Sequence, residues 1–359
     1  MSAQQPIDIA VYIGRFQPLH NGHLALLRQA LDAAPQVVVV IGSAHQARTP
    51  KNPFTWQERA EMIRLALPAA DRARVRFLPV RDHYDEAKWV VAVRQGVQAA
   101  AEQAGLGHRP AVALIGHFKD ATSAYLQQFG GWTLRSVERA SPVDAEHIRG
   151  AWLGNAGKDL EATLSALASV APSTTLDFMR AWSCLPFYPA LAAEWQMLQQ
   201  YRQAWASAPY APVFVTVDTV VRCANHVLLI RRGQAPGLGL YAVPGGFIES
   251  RETAYQSALR ELREETRLSL LESTMQDCLK SSAVFDHPDR SQRGRTITHA
   301  FYFDLGHRAR PEVLADDDAQ SAAWVPVEDL VGLEDQFHDD HFHMLDHFLE
   351  LQPEAAQPV

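Results

Sequence analysis

The 359-residue chain has little cysteine: Cys184, Cys223 and Cys278 are far apart and form no C-x-x-C pair. Such isolated cysteines are typical of free thiols in a reducing compartment and exclude a disulfide scaffold. Long hydrophobic runs are also missing, since the longest purely aliphatic run covers only residues 37–41. That run is too short to cross a membrane, and the first residues, MSAQQP, lack the basic and apolar regions of a signal peptide. We therefore expect a cytoplasmic protein with no membrane partner.

Positive charge is the scarcer sign, with 33 Lys and Arg against 41 Asp and Glu and a formal net charge of −8. Broad nucleic-acid binding needs a basic face that neutralises phosphates, so no nucleic-acid partner is expected. A small phosphorylated ligand needs only a few local cations or a helix N-terminus and is not excluded. The hydrophobic content of 47% is ample for the packed cores of two domains.

Residues 1–154 alternate short β-branched runs with stretches that show helical spacing of apolar residues. The predicted strands are IDIAVYI, QVVVVIG, RVRFLPV, AVALIGH and WTLRSVE; the predicted helices are GHLALLRQALDAA, TWQERAEMIRLAL and AKWVVAVRQGVQAAAEQA. Thr55 and Glu58 have the spacing of a capping box at the start of the second helix. The alternation predicts an α/β domain with a Rossmann-like parallel sheet, which binds ligands beyond the carboxyl ends of its strands.

Residues 155–208 read as alanine-rich helices broken at prolines and predict a helical connector that packs on one or both domains. Residues 209–359 predict an α+β domain. Its strands are VFVTVDTVVRC, HVLLIRR, LYAVPGG, TITHAFYFDL and SAAWVPV, with one helix over residues 251–266 and another near the end of the chain.

Residues 14–23, GRFQPLHNGH, directly follow the first predicted strand. Gly14 permits close approach of the backbone to a ligand, and Gly22 lets the next helix N-terminus come near one. His20 and His23 could then donate hydrogen bonds to the oxygens of a triphosphate. Ordinary surface histidines are the alternative, and a metal site is disfavoured because no carboxylate or third histidine lies close in sequence.

GRFQPLHNGH resembles the G-x-F-x-P-x-H-x-G-H signature of the nucleotidyltransferase superfamily that includes the adenylyltransferases. GSAHQARTPKNPFTWQER (42–59) and IGHFKDATSAYLQQFGGW (115–132) are similar to segments of archaeal-type nicotinamide-mononucleotide adenylyltransferases. The resemblance implies transfer of AMP from ATP to nicotinamide mononucleotide (NMN). The implied catalytic groups are His20, His23 and Arg149, and the implied substrate-binding residues are Gly14, Arg15, Phe16, Phe118 and Trp132, the last two stacked or packed beside the nicotinamide.

The last motif of that family, S-x-T-x-I-R, is matched by VDAEHIR at residues 143–149. Arg149 is retained, but Asp144 and Glu146 stand at the hydroxyl positions. Because acidic side chains repel phosphate, we expect that they turn away or that the arginine and backbone amides alone hold the phosphates.

Residues 245–268, GGFIESRETAYQSALRELREETRL, place Glu261, Glu264 and Glu265 on one face of a helix. Such a run is most often a solvated charged surface. Clustered carboxylates, however, raise one another's pKa unless a cation lies among them, and their hard oxygens suit Mg²⁺ or Mn²⁺. Arg260 has the spacing to pair with Glu264 along the helix.

Gly246, Glu252 and RELREE match the Nudix box, G-x5-E-x7-R-E-U-x-E-E-x-G-U, except that Arg267 replaces the late glycine and could lengthen or strain the helix end. The resemblance implies metal-dependent hydrolysis of a nucleoside diphosphate linked to another group. Glu261, Glu264 and Glu265 are the implied metal ligands, with Glu264 also catalytic, Glu252 nearby and Arg260 orienting the glutamates. The general base stays open between a box glutamate and an acid of residues 315–320.

Together the resemblances imply a bifunctional enzyme of NAD metabolism that also cleaves ADP-ribose to AMP and ribose 5-phosphate. The implied partners are ATP, NMN and ADP-ribose, the implied cofactor is Mg²⁺ with Mn²⁺ as an alternative, and a homo-oligomer is compatible with the sequence. Two alternatives keep the adenylyltransferase: a Nudix domain that only senses a nucleotide, or one that hydrolyses a different dinucleotide.

QFHDDHFHMLDHF (336–348) carries four histidines, for which zinc binding is conceivable. Phe337, Phe342, Leu345 and Phe348 share one side of a predicted helix. We expect that side to be buried and the histidines to lie mostly outside.

Overall fold

The computed structural model describes residues 6–117, 126–137, 144–351, 353 and 355–359. The chain divides into two compact units, Met1–Ala193 with Glu354–Val359, and Glu194–Pro353. None of the helices in the described ranges is long and apolar enough to cross a lipid bilayer.

The first unit contains the five predicted strands, paired in parallel in the order β3-β2-β1-β4-β5. They are β1 (Ile9–Gly14), β2 (Gln36–Ile41), β3 (Val75–Pro79), β4 (Val112–Gly116) and β5 (Thr133–Ser136). The chain order reverses beside β1, and such a switch point is where ligands bind in open α/β sheets. The prediction of a Rossmann-like parallel sheet is confirmed.

Helices connect and extend this sheet. They are α1 (Asn21–Ala33), α2 (Trp56–Ala66), α3 (Ala69–Arg72), α4 (Glu86–Gln103), α5 (Ala145–Gly154), α6 (Leu160–Ala166), α7 (Ser173–Trp182) and α8 (Phe187–Ala204). The predicted capping box of α2 is present: the Thr55 hydroxyl accepts from the Glu58 N–H, and the Glu58 carboxylate accepts from the Thr55 N–H. The boundary between the two units falls inside α8.

Aliphatic and aromatic packing both stabilise the first unit. Valines and leucines of β1, β2 and β4 pack with the buried face of α4. A second, aromatic core joins the segment before α2 to the helices that follow the sheet: Phe54 stacks on Trp152 at 5.5 Å and meets Trp182 edge-on at 5.2 Å. The loop that precedes α2 is therefore fixed from its apolar side.

The second unit is a mixed sheet in the order β10-β11-β6-β7-β12, with β8 paired to β7 and β9 to β6. Its strands are β6 (Val213–Cys223), β7 (His226–Arg232), β8 (Tyr241–Ala242), β9 (Gly245–Phe247), β10 (Leu279–Phe285), β11 (Arg295–Asp304) and β12 (Ala319–Pro326). Its helices are α9 (Ala254–Thr266), α10 (Glu272–Cys278), a 3-10 helix over Val327–Gln336 and α11 (His341–Leu349). One core packs α9 and α10 on the sheet, and another packs the 3-10 helix and α11.

Two candidate active sites

The loop after β1 is held in a fixed shape. Phe16 has a φ of 52°, and a Cβ added to Gly14 would lie 2.8 Å from the Phe16 ring, so only glycine fits there. Gln17 joins this loop to the segment before α2: its Nε2 donates to the Phe54 carbonyl at 2.7 Å, and the Phe54 N–H donates to its Oε1 at 3.1 Å. The predicted binding loop is thus preorganised.

His20 and His23 lie at the start of α1, and their rings stack at 3.7 Å. Nδ1 of His20 accepts from the backbone N–H groups of Gly22 and His23, so His20 caps the helix. A neutral ring that accepts through Nδ1 carries its proton on Nε2, which makes Nε2 the donor toward a phosphate. Burial, with the charges of His20 and His117, holds the pKa of His23 well below its usual value.

Two arginines approach the same loop. Arg149, in the first half of α5, donates to the carbonyl of Gln17 at 2.5 Å. Burial, and next the positive charge of Arg15, lower the pKa of Arg149 to about 10. Arg149 is still charged at neutral pH, and the repulsion between the two guanidinium groups would be relieved by an anion bound between them.

Asp144 turns toward its own helix. Its Oδ1 accepts from the backbone N–H of His147 at 3.0 Å, which makes Asp144 the N-cap of α5. As a helix cap, Asp144 does what the serine or threonine hydroxyl of the family motif would do at this position. Its negative charge nevertheless stays near Arg149. Glu146, the other departure from the family motif, is exposed in the first turn of α5.

A buried arginine of α2, which the sequence motifs do not include, also holds the loops of this site. Arg59 is 1% exposed and donates to four carbonyl oxygens: those of Arg15, Gly42, Ser43 and Thr55. The sequence signal is its position on the apolar face of α2, beside the buried Ala60 and Ile63. An arginine at such a position needs internal acceptors, and the loop carbonyls supply them.

Trp132 lies far from these groups in the topology. It directly precedes β5, whereas His20 follows β1, and in a parallel sheet these positions lie at opposite ends of the strands. Its ring stacks on Phe129 at 4.8 Å, and the Arg94 guanidinium lies 5.2 Å from it. Its predicted place beside the nicotinamide, stacked or packed, stays a prediction. Phe118 lies outside the described residues.

The second site is built around the glycine pair that opens the Nudix box. The Gly245 N–H donates to Oε2 of Glu265 at 2.9 Å. A Cβ on Gly246 would lie 2.5 Å from the Glu261 carboxylate, so Gly246 leaves room for that group. Glu265 is 4% exposed, and burial is the main reason that its pKa rises to about 8.

Arg260 connects the remaining box acids. Its guanidinium contacts Glu252 at 2.9 Å, Glu261 at 2.8 Å and Glu264 at 2.8 Å. Burial alone would lower the pKa of Arg260, but these three hydrogen-bonded acids raise it. The predicted orienting role of Arg260 thus has a geometric basis.

The carboxylates suit a hard divalent cation, although they are not gathered into a finished site. In the part of the chain that the structure describes, no three acidic, histidine or cysteine side chains are grouped to hold a metal ion. Glu265 is nevertheless buried and Glu261 half-buried, and burial first, then neighbouring negative charge, raise the pKa of each. A bound cation would remove the free-energy cost of ionising these two carboxyl groups, and their oxygen donors suit Mg²⁺ or Mn²⁺.

Arg267 ends α9 in the left-handed region, with φ 49° and ψ 23°. The strained helix end, rather than a longer helix, is therefore the outcome of replacing the box glycine. Its guanidinium pairs with Asp316 at 2.7 Å. The acids of residues 315–320 differ in their contacts. Asp318 accepts from the Gln234 amide, whereas the negative charge of Asp317 acts on Glu261.

The prediction that the histidines near the C-terminal helix lie mostly outside is wrong for two of them. His338 and His341 are 6% and 8% exposed, whereas His347 is exposed. The reason is polar: the Val243 N–H donates to Nδ1 of His341 at 3.1 Å, and Nε2 of His338 lies 3.3 Å from Asp339. Apolar periodicity alone does not reveal such partners.

The fold and the two sites define a class: a nucleotidyltransferase-like unit with a histidine-capped phosphate loop, followed by a Nudix-type unit. Residues 11–105 match the model of the cytidylyltransferase-like family, and residues 212–348 match that of the NUDIX domain. A nicotinamide/nicotinic acid mononucleotide adenylyltransferase of Acinetobacter baylyi is 37% identical over 196 residues, covering 54% of this chain and 94% of that protein. An ADP-ribose pyrophosphatase of Methanocaldococcus jannaschii is 36% identical over 124 residues, covering 33% of this chain and 65% of that protein.

Both units are covered by a solved structure. It is a bifunctional NMN adenylyltransferase/ADP ribose pyrophosphatase of Francisella tularensis, in complex with AMP and a manganese ion. It is 33% identical, has a TM-score of 0.86, and the match covers 96% of this chain and 99% of that one. The chain belongs to the family of bifunctional NMN adenylyltransferase/ADP-ribose pyrophosphatase enzymes.

Proposed function

We propose that the first unit transfers AMP from ATP to NMN, giving NAD and pyrophosphate, and that the second hydrolyses ADP-ribose to AMP and ribose 5-phosphate. The observation that carries this proposal is the likeness to the Francisella enzyme across 96% of the chain, at a TM-score of 0.86. The Acinetobacter relative supports the first activity separately, and the Methanocaldococcus relative supports the second.

In the first reaction a phosphate oxygen of NMN attacks the α-phosphorus of ATP, and the bond from that phosphorus to the pyrophosphate oxygen breaks. The NMN phosphate is already ionised, so no general base is needed. Catalysis rests on in-line positioning and on charge stabilisation, which Mg²⁺ on the nucleotide phosphates would increase. We assign the Nε2–H of His20, the ring of His23, and the guanidinium groups of Arg15 and Arg149 to the ATP phosphates.

In the second reaction water attacks a phosphorus of the ADP-ribose diphosphate, and a bridging P–O bond breaks. We assign Glu261, Glu264 and Glu265 to hold Mg²⁺, with Mn²⁺ as the alternative. A cation there would lower the pKa of water and neutralise the leaving phosphate. Arg260, with Glu252, orients the box acids. The proton of the attacking water goes to a box glutamate or to Asp317, whose charge reaches Glu261.

The hydrolase is tested by incubating the full chain with ADP-ribose and Mg²⁺ and separating the products by ion-exchange chromatography. We expect AMP and ribose 5-phosphate from the wild type and from Glu328→Gln, an exposed acid in the second unit, but not from Glu265→Gln. Intact ADP-ribose in the wild-type reaction, with NAD synthesis preserved, would instead indicate a nucleotide sensor or another dinucleotide substrate.

The transferase is tested by NAD formation from ATP and NMN. Arg149→Met should abolish most of the activity, because it removes a cation from the phosphate site. Arg28→Met, on the exposed side of α1, is the matched control and should leave it unchanged. Equal activity of the two variants would overturn the assignment of Arg149. A cytoplasmic location and a homo-oligomeric state stay predictions from the sequence.

A further inference from the structure

The segment His338–Asp339–Asp340–His341 leads from the 3-10 helix into α11, whose first residue is His341. It follows the start of the Nudix box by about 90 residues, yet it reaches the turn that leads into the box. The contact is direct: the Val243 N–H donates to Nδ1 of His341 at 3.1 Å. Val243 is 1% exposed and His341 is 8% exposed. A buried N–H without an acceptor is costly, so this histidine supplies a needed partner.

Val243 lies with Pro244 between β8 and β9, outside the ladders that these two strands form with β7 and β6. The Pro244 carbonyl accepts from the N–H of Thr219 at 2.8 Å and from its hydroxyl at 3.0 Å. Burial holds the pKa of His341 below its usual value, which keeps the ring neutral and Nδ1 able to accept. His341 and Thr219 therefore fix the two residues that precede Gly245.

The adjacent Asp340 acts through a buried arginine. Arg290 donates to both oxygens of Asp340 at 2.8 Å, and its Nη2 lies 3.9 Å from Oδ2 of Asp218. The three side chains are 4%, 5% and 7% exposed. Asp218 Oδ2 also accepts from the hydroxyl of Thr298 at 2.5 Å.

Asp218 packs beside Gly245, the residue whose N–H donates to Glu265. A Cβ added to Gly245 would lie 2.5 Å from Oδ1 of Asp218, and the Gly245 N–H donates to Glu265. A continuous set of contacts thus runs from Asp340 through Arg290 and Asp218 to the backbone of the box. Its buried charges are paired, which is the condition under which such a network is rigid.

We propose that His341 and the Asp340–Arg290 pair are positioning residues of the hydrolase, which hold the turn Val243–Gly246 so that the Gly245 N–H keeps Glu265 in place. The proposal rests on the proposed function only for its hydrolytic consequence. Groups that orient metal-ligating side chains typically change metal affinity or activity by about 10- to 100-fold when they are removed. A purely structural network would change stability alone.

The decisive pair of variants is His341→Asn and His341→Leu in the full chain. Asn can place an amide oxygen near the position of Nδ1 and accept from Val243, whereas Leu cannot accept. His347→Asn, on the exposed part of the same helix, is the matched control. Amide hydrogen exchange, read residue by residue, should become faster at Val243 and Gly245 in His341→Leu and stay slow in His341→Asn and His347→Asn.

Two further readouts separate positioning from stability. Mn²⁺ binding, followed by the electron paramagnetic resonance of the unbound ion, should weaken by about tenfold or more in His341→Leu. With ADP-ribose as substrate, kcat should fall by a similar factor, while NAD synthesis by the same sample stays unchanged. His341→Asn should recover most of both losses. Unchanged Mn²⁺ affinity and kcat in a folded His341→Leu chain would overturn the proposal.

Asp340→Asn provides a second test should His341→Leu fail to fold, because the amide keeps the size and one acceptor of the carboxylate. We expect faster exchange at Gly245 and weaker Mn²⁺ binding, with normal values overturning the role of the pair. A wild-type chain that makes NAD but leaves ADP-ribose intact would contradict the proposed hydrolase, while the Mn²⁺ and exchange data would still decide whether these residues position the box.

Discussion

The guanidinium of Arg59 donates to the carbonyl oxygen of Arg15 at 2.8 Å, which ties helix α2 to the loop that carries the phosphate-binding residues. The same group donates to Gly42 at 2.7 Å and to Ser43 at 3.0 Å, just beyond β2. Since β1 and β2 are neighbouring parallel strands, Arg59 fixes the two loops against each other at the ligand-binding edge.

Replacing Arg59 should therefore damage both folding and catalysis in the first unit. In Arg59→Met the carbonyls of Arg15, Gly42 and Ser43 lose this donor, whereas the Thr55 carbonyl still accepts from the backbone N–H of residue 59. Each unsatisfied buried group costs about 1–3 kcal/mol. We expect a loss of at least about 3 kcal/mol in the free energy of unfolding and little remaining NAD synthesis. Arg59→Lys, with fewer donors, should be intermediate. Urea unfolding and NAD assays provide the check, and a stable, active Arg59→Met chain would contradict it.

Asp144 offers a test of the unusual last phosphate motif. Asp144→Ala removes the N-cap of α5 and should cost about 1 kcal/mol, whereas Asp144→Ser keeps a capping oxygen and should cost little. Both remove a negative charge near Arg149, so the KM for ATP should fall in Asp144→Ser. Thermal unfolding and initial rates at low ionic strength measure the two effects. A higher KM in the serine variant would mean that the acid assists nucleotide binding.

The elements that the sequence predicts well are those with strong periodicity. Strands β1, β2 and β4 are continuous, mostly buried apolar runs, and α9 follows its capping residue Thr253 as a regular amphipathic helix. The sequence pattern does not indicate strand β10, because LKSSAVF is largely exposed and its single buried residue, Phe285, gives no alternation. It exists because it pairs with β11, which is a tertiary cause.

The parts of the sites that were missed depend on partners distant in sequence. Nothing near Arg59 in the chain reveals that its acceptors lie beyond two different strands. Likewise, His341 is buried because it meets Val243, 98 positions away. Arg267 could have lengthened α9 or strained its end, and its pairing with Asp316 accompanies the strained end. Local pattern gives the residue types, whereas long-range polar contacts give their roles.

Gly246 has a specific steric task in the second site. Gly246→Ala would bring a methyl group to 2.5 Å from the Glu261 carboxylate, so that carboxylate or the turn must move. We expect ADP-ribose hydrolysis to fall by about 100-fold, since displacement of a reacting group by about 1 Å has an effect of that size. NAD synthesis should be unchanged. Gly332→Ala, where a Cβ would meet nothing within 4 Å, is the control. Equal hydrolysis by both variants would show that Glu261 can move freely.

Burial raises the pKa of Glu265 from 4.5 to about 8, and the charges of Glu261 and Asp218 add to the rise. Between these values the folded chain holds a proton that the unfolded chain has released. The stability linked to this group is therefore fully present below pH 4.5 and is lost as the pH rises through about 8. In EDTA, the free energy of unfolding should fall across this window, and Glu265→Gln should fall less steeply.

A divalent cation should reverse this dependence. It binds the ionised carboxylate, so it displaces the proton and stabilises the folded chain most at the alkaline end of the window. Urea unfolding between pH 5.5 and 8.5, with EDTA or with Mg²⁺, measures the effect. Mg²⁺ should stabilise the wild type at pH 8 and affect Glu265→Gln much less. Equal stabilisation of both proteins would place the cation elsewhere, because only a ligand that contacts Glu265 gains from the loss of its proton.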